Sequence, residues 1–197
     1  MSGLQFVPFV PTYIPPELCQ SVGVAVEPGR PTPDACMEIV NRNVGQDGVS
    51  VPEGTNPKVE EQLVDVVKDA ESRGIDLKIV VIGANPPIDT PLRDIATEVG
   101  EAHPGATVLA LSPSFAGTYS ADYDRSTLEA GEDLARTADP VQSSKNFVSE
   151  LTTSHFPWTP FTIVLVLMVA LAVVATRVLQ KRGKRTADVK AASTSSD

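Results

Sequence analysis

The side chains that could do chemistry in this chain fall into two polar stretches, each directly after a run of aliphatic and β-branched residues. The first carries Asn85, Asp89, Thr90 and Arg93 after LKIVVI (Leu77 to Ile82). The second carries Ser112, Ser114, Tyr119, Asp122, Tyr123 and Asp124 after ATVLAL (Ala106 to Leu111). Ligands of open parallel sheets gather beyond the carboxyl ends of the strands, so both stretches are expected at one rim. Carboxylates and hydroxyls meeting there could hold a hard cation such as Ca2+ or another divalent ion, or present a polar surface to a protein. The plainer reading makes Asp89 and Thr90 turn and cap residues and Asp122 and Asp124 solvated acids, with no resident cofactor.

Other chemistries find little support. The two histidines, His103 and His155, stand in no catalytic or metal-ligating spacing, and phosphate-cradling glycine loops, a GxSxG elbow and HExxH are all absent. No catalytic residue and no metal ligand is assigned. Glu129, Glu132 and Asp133 sit at a spacing that suits a wet helix face with Arg136 as partner.

The elements that must position these residues are legible from Asn56 onward. Pro57 suits a first helical turn, and Val59, Leu63, Val66, Val67 and Ala70 form one stripe before Gly74. LKIVVI reads as a strand buried on both faces. Thr90 is expected to cap a second helix begun by Pro91, with Leu92, Ile95, Ala96 and Val99 as its stripe; ATVLAL follows as a second strand. Strand, helix and strand make a βαβ unit whose crossover should be right-handed. A third, edge strand is expected around Phe115 to Ser120, then a helix capped by Ser126 and running through Thr137, then a helix from Val141 to Leu151. The expected fold is a small three-layer α/β domain, βαβ-type with a mainly parallel sheet, over residues 56–154. Residues 1–55, rich in Pro and Gly, are expected to be irregular apart from a helix at Pro33 to Arg42, with Phe6, Val7, Phe9, Val10, Tyr13 and Ile14 offering apolar surface.

Phe156 to Thr176 holds no charged residue and is followed by Arg177, Lys181, Arg182, Lys184 and Arg185. A bilayer core of about 30 Å needs roughly 20 apolar residues, so a transmembrane helix is expected over 156–179 with a disordered basic tail over 180–197. Trp158 marks one membrane boundary, and Arg177, Lys181 and Arg182 mark the other. Residues ahead of the anchor carry 10 Lys and Arg against 23 Asp and Glu, a balance of −13. That surplus excludes DNA and RNA as partners. Short flanks rich in Lys and Arg stay in the cytoplasm, which places the acidic domain outside the plasma membrane. The competing arrangement is a tail anchor with the domain inside, since no signal peptide is recognisable. Cys19 and Cys36 could close a loop of about sixteen residues, a gain of about 3 kcal/mol in an oxidising compartment; the alternative is two unpaired thiols.

The runs DLKIVVIGANPPIDTPLRDIATEVG, ATVLALSPSFAGTYS, LEAGEDLARTADPVQSSKNFV and FPWTPFTIVL resemble a small actinobacterial family of single-pass membrane proteins of unknown function, over about Asn56 to Arg182. Residues 19–50 look less typical of it. The architecture is also distantly similar to TPM-type domains, a resemblance that implies a divalent-metal-dependent hydrolase or phosphatase on the Asp-rich loops. The leading expectation is a non-enzymatic binding or adaptor module of the cell envelope, with the bilayer and another envelope protein as partners. A third reading is a scaffold whose transmembrane helix pairs with a partner.

Overall fold

The computed structural model describes residues 13–25, 33–153 and 158–194, with side chains of the last helix described at 161–177, 179 and 180. The chain forms two units, residues 1–153 and 154–197. In the first, α1 (Pro16–Ser21) and α2 (Pro33–Asp47) precede β1 (Val49–Ser50), α3 (Pro57–Ser72) and β2 (Leu77–Val81). Then come α4 (Thr90–Ala102), β3 (Thr107–Leu111), β4 (Ala116–Tyr119), α5 (Arg125–Leu134) and α6 (Pro140–Leu151). The strands lie in the order β1-β2-β3-β4, the first three parallel and β4 antiparallel to β3.

Both faces of β2 and β3 are apolar, and each is covered by helices. Leu77, Ile79, Leu109 and Leu111 meet Leu63, Val66, Val67 and Ala70 of α3 together with Phe147 and Val148 of α6. Val80, Val108 and Ala110 meet Leu18 of α1, Val40 and Val44 of α2, and Leu92, Ile95 and Val99 of α4. The domain is therefore a three-layer α/β/α sandwich. Local chemistry starts and stops α3 in the expected way. The Asn56 side chain accepts from the Lys58 N–H at 3.0 Å, Pro57 fills the first turn, and Gly74 takes a φ of +83° after the last one.

The crossovers have opposite hands. β1, β2 and β3 are parallel and adjacent in order, so both crossovers step across the sheet in one direction, while α3 and α4 lie on opposite faces. The Ile79 side chain points to the α3 face and its N–H donates to Gly48 O at 2.8 Å. For an L-residue on a strand running upward with its side chain toward the viewer, the N–H points right. Seen from the α3 face, β1 therefore lies to the right of β2, and the step from β1 through α3 to β2 is left-handed. The step from β2 through α4 to β3 is right-handed, as sequence leads one to expect.

Several expectations change. Residues 1–55 contribute two helices, one strand and the buried residues Leu18, Cys19, Cys36, Val40, Val44 and Val49, so the domain does not begin at residue 56. α2 continues past Arg42 to Asp47 because burial of Val44 outweighs the weak helix preference of Asn43 and Gly45. Asp89, not Thr90, precedes α4, and its side chain makes no capping bond. Asp124, not Ser126, precedes α5, which stops at Leu134 rather than Thr137. Thr137 instead bonds Ser143 Oγ at 2.7 Å and Asp139 O at 3.0 Å in the turn into α6.

In the second unit, α7 (Trp158–Thr194) is one helix. The tail expected to be disordered is thus helical to Thr194; it contains no Pro, and Lys, Arg and Ala favour helix enough to absorb Gly183. The large apolar side chains described from Phe161 to Val174, and that of Leu179, are 45–69% exposed. Among the described residues no helix is long and apolar enough to cross a membrane; the unbroken run of described side chains covers only Phe161 to Arg177. The side chains of Trp158, Lys181 and Arg182, and residues Phe6 to Val10 and His155, lie outside the described residues.

Two glycines allow α4 to press on the edge strand. A Cβ at Gly117 would stand 2.5 Å from the backbone of Leu92 and Arg93, and one at Gly100 would stand 2.1 Å from the Tyr119 ring. Neither backbone can yield cheaply at Gly117. Gly117→Ala is expected to lose about 1–3 kcal/mol in chemical denaturation, while Gly54→Ala, whose Cβ meets nothing within 4 Å, loses only what its positive φ costs.

Candidate functional site

The β2–α4 and β3–β4 loops meet beyond the carboxyl ends of their strands, and Asn85 is the link. Its Oδ1 accepts from Ser112 Oγ at 2.8 Å and from the Ser114 N–H at 2.9 Å, while its amide donates to Ser114 Oγ at 3.1 Å. Ser112 in turn closes the tight β3–β4 connection, accepting from the Phe115 N–H at 3.1 Å. Of the expected site residues, Ser112 and Ser114 are thus brought together, and they serve as loop fasteners.

Beside this link, on the α3 face, lies a crevice of about 190 Å3. Val51, Pro52, Val59, Leu63, Val81, Leu111, Pro113 and Pro140 line most of it. Its polar residues are hydroxyl-bearing only: Thr55, whose Oγ1 donates to Pro52 O at 2.6 Å, Ser112, and Thr137. Among the described residues, its lining contains no acid, base or histidine. An arrangement of this kind can receive an aliphatic or aromatic side chain, and it offers no group to transfer a proton or bind a metal.

The remaining candidates lie toward the sheet edge. Asp89 is 3.8 Å from Arg136 Nη2, and Arg93 Nη2 is 3.8 Å from Glu132 Oε2. Arg93 and Tyr119 line a cleft of about 260 Å3 with Thr97, Tyr123 and Glu132. Thr90 is exposed at the start of α4. Asp122 and Asp124 are exposed, and the Asp122 N–H donates to Ser120 Oγ at 3.2 Å. Among the described residues, no group of three or more His, Cys, Asp or Glu stands together in a way that could hold a metal ion.

Glu132 is the residue sequence reasoning misplaced. It does not face water: it is 3% exposed, accepts from Arg136 Nη2 at 3.0 Å and accepts from Thr118 Oγ1 at 3.3 Å. The signal was present, because Glu132 follows Leu128 by four positions and so falls on the buried stripe of α5. Burying a carboxylate is costly unless it is paired, and Arg136 at 3.0 Å is the nearer pair, with Arg93 at 3.8 Å the second. Arg136→Ala is expected to cost about 1–3 kcal/mol by thermal or chemical unfolding, since it strips the charge-assisted bond from Glu132. Arg125→Ala, which breaks an exposed pair with Glu129 at 2.8 Å, should cost less than about 0.5 kcal/mol.

Comparison with known proteins places the chain. No solved structure matches it. The family model described as membrane protein Rv1476 matches residues 13–192, a span that includes residues 19–50, the part that looked least typical. The membrane protein Rv1476 of Mycobacterium tuberculosis (strain ATCC 25618 / H37Rv) is 48% identical over 183 residues, which cover 93% of this chain and 87% of that relative. An α/β domain followed by a largely apolar helix accords with that description, and the chain belongs to the Rv1476 membrane protein family.

Proposed function

We propose that this protein is a single-pass, membrane-tethered binding module whose α/β domain stands on the outer side of the plasma membrane and engages another envelope protein through the crevice beyond β2 and β3. The observation that carries the reading is the lining of that crevice, which is apolar and without a proton-transferring group. An apolar side chain seated there would gain roughly 25 cal/mol for each Å2 of apolar surface removed from water.

The tether rests on Phe156 to Thr176, a stretch free of charge, and on the basic cluster after it. α7 continues as helix through that cluster. Orientation rests on two independent points. The Lys and Arg surplus lies after the helix, and Cys19 and Cys36 are joined as a disulfide, a bond that persists in oxidising compartments. The rival reading, a TPM-like hydrolase, needs Asp89, Asp122 or Asp124 around a divalent ion. Asp89 faces Arg136 instead, and the other two are exposed loop acids.

Two measurements test the proposal. Protease added to intact cells should digest the acidic domain and spare an epitope at Asp197; digestion only after the cells are opened overturns the orientation. A photo-crosslinking residue at Val59, inside the crevice, should yield one discrete protein adduct that the same residue at exposed Lys68 does not. Equal labelling at the two sites removes the crevice from the binding role.

A further inference from the structure

We infer that the Cys19–Cys36 disulfide is a latch on the crevice: it holds α1 against the rim, so that the rim is ordered where the bond forms and released where it does not. The inference rests on the reading of the crevice as a binding site, and it concerns what regulates that site.

α1 has six residues, far too few to persist as a helix on its own. Besides the hydrogen bonds of Ser21 described below, apolar burial and a covalent tie hold it in place. Leu18, Cys19 and Val22 enter the apolar layer of α2 and α4, and the disulfide ties it to the first turn of α2. What α1 does from that position is specific. Ser21 is 8% exposed, and its hydroxyl donates to Glu17 O at 2.8 Å, which leaves its oxygen to accept from the Gly83 N–H at 2.9 Å. Its carbonyl accepts from the Glu53 N–H at 2.8 Å.

Those two amides belong to the two loops that frame the crevice. Gly83 lines it directly, and Glu53 follows Pro52, which also lines it. Pro52 and Gly83 border the hollow on the α1 side as well, so the same rim separates α1 from the crevice. One residue of α1 therefore clamps the β1–α3 loop and the β2–α4 loop at once. The crevice side of the rim offers apolar residues and hydroxyls, so the clamp comes from Ser21.

Cleaving the cross-link changes little in the main core, since Leu63, Ile79, Leu109 and Phe147 pack on the other face of the sheet. It changes α1 a great deal. A helix of six residues loses its covalent tie and keeps its apolar contacts and the two hydrogen bonds of Ser21. Local opening of such a segment is far easier than global unfolding, and when α1 lifts, both rim amides lose their acceptor. Chain chemistry thus couples the compartment to the competence of the crevice: the cytoplasm reduces such bonds and the outside preserves them.

The test is amide hydrogen exchange on the full chain in lipid nanodiscs, which needs no partner and so succeeds or fails separately from the binding proposal. Expected in the Cys19→Ala/Cys36→Ala double variant, against the disulfide-bonded protein, is at least a tenfold faster exchange at Gly83 and Glu53, with Ile79 and Leu109 unchanged. Ser21→Ala in the oxidised protein should accelerate Gly83 alone, because the carbonyl that serves Glu53 remains. Two results overturn the latch: unchanged exchange at both rim amides after the bond is broken, or a uniform acceleration that includes Ile79 and Leu109, which would make the disulfide a global brace.

Discussion

β2 and β3 expose no face they can leave to water. Ile79 and Leu109 point one way and Val80 and Val108 the other, all of them fully buried, and every other element of the domain is placed by the need to cover both sides. Because the strands follow one another in spatial order from β1 to β4, two right-handed crossovers would put α3 and α4 on the same face and leave the other without the cover of α3 beside α6. The chain resolves this with a left-handed step through α3. Such a connection is rare because a twisted strand feeding a right-handed helix packs back more easily the other way, and here it is the two-residue β1, the shortest strand in the sheet, that accepts it.

Coverage of the far face then explains the N-terminal region. α4 alone spans β3 and β4, so Val80 and Ile82 would be open without α1 and α2, whose Leu18, Val40 and Val44 close over them. This is why a stretch with many prolines and glycines is nonetheless ordered where it contacts the sheet. It is also where reading the sequence fell short. β1 is too short to show an alternation, and Leu18 and Cys19 sit in a helix of six residues, so no periodicity existed to be read. From Pro57 onward the stripes of α3 and α4 and the two β-branched runs were long enough, and the elements appear there within a residue or two of where pattern placed them.

The candidate site divides along the same line. Its location was legible, since parallel strands carry their loops to one rim whatever the loops contain. Its chemistry was not. Polar residues near Asn85 and Ser112 drew attention because polarity in a loop resembles function, yet their hydroxyls and amides are consumed in joining the loops. The apolar lining comes from residues far apart in the chain, Val51, Val59, Leu111 and Pro140, and only the fold assembles them. Glu132 shows the converse. A charged residue on an apolar stripe was read by its type rather than its position, and its position decided that it would be buried.

A domain of this size with an apolar core on both faces of its sheet does not need a cross-link to fold, so the location of the disulfide is more informative than its presence. It lies at one margin, tying α1 to the start of α2, and the loop it closes is short. In the chain-entropy account it stabilises by restricting that loop when unfolded, and the restriction is felt where opening is otherwise easiest. Stability in proteins is distributed unevenly, with short peripheral elements opening well before the core does. A covalent bond at such a margin therefore adds order to a segment that the hydrophobic core, however complete, leaves loosely held, and that segment is the one on which the rim of the crevice rests.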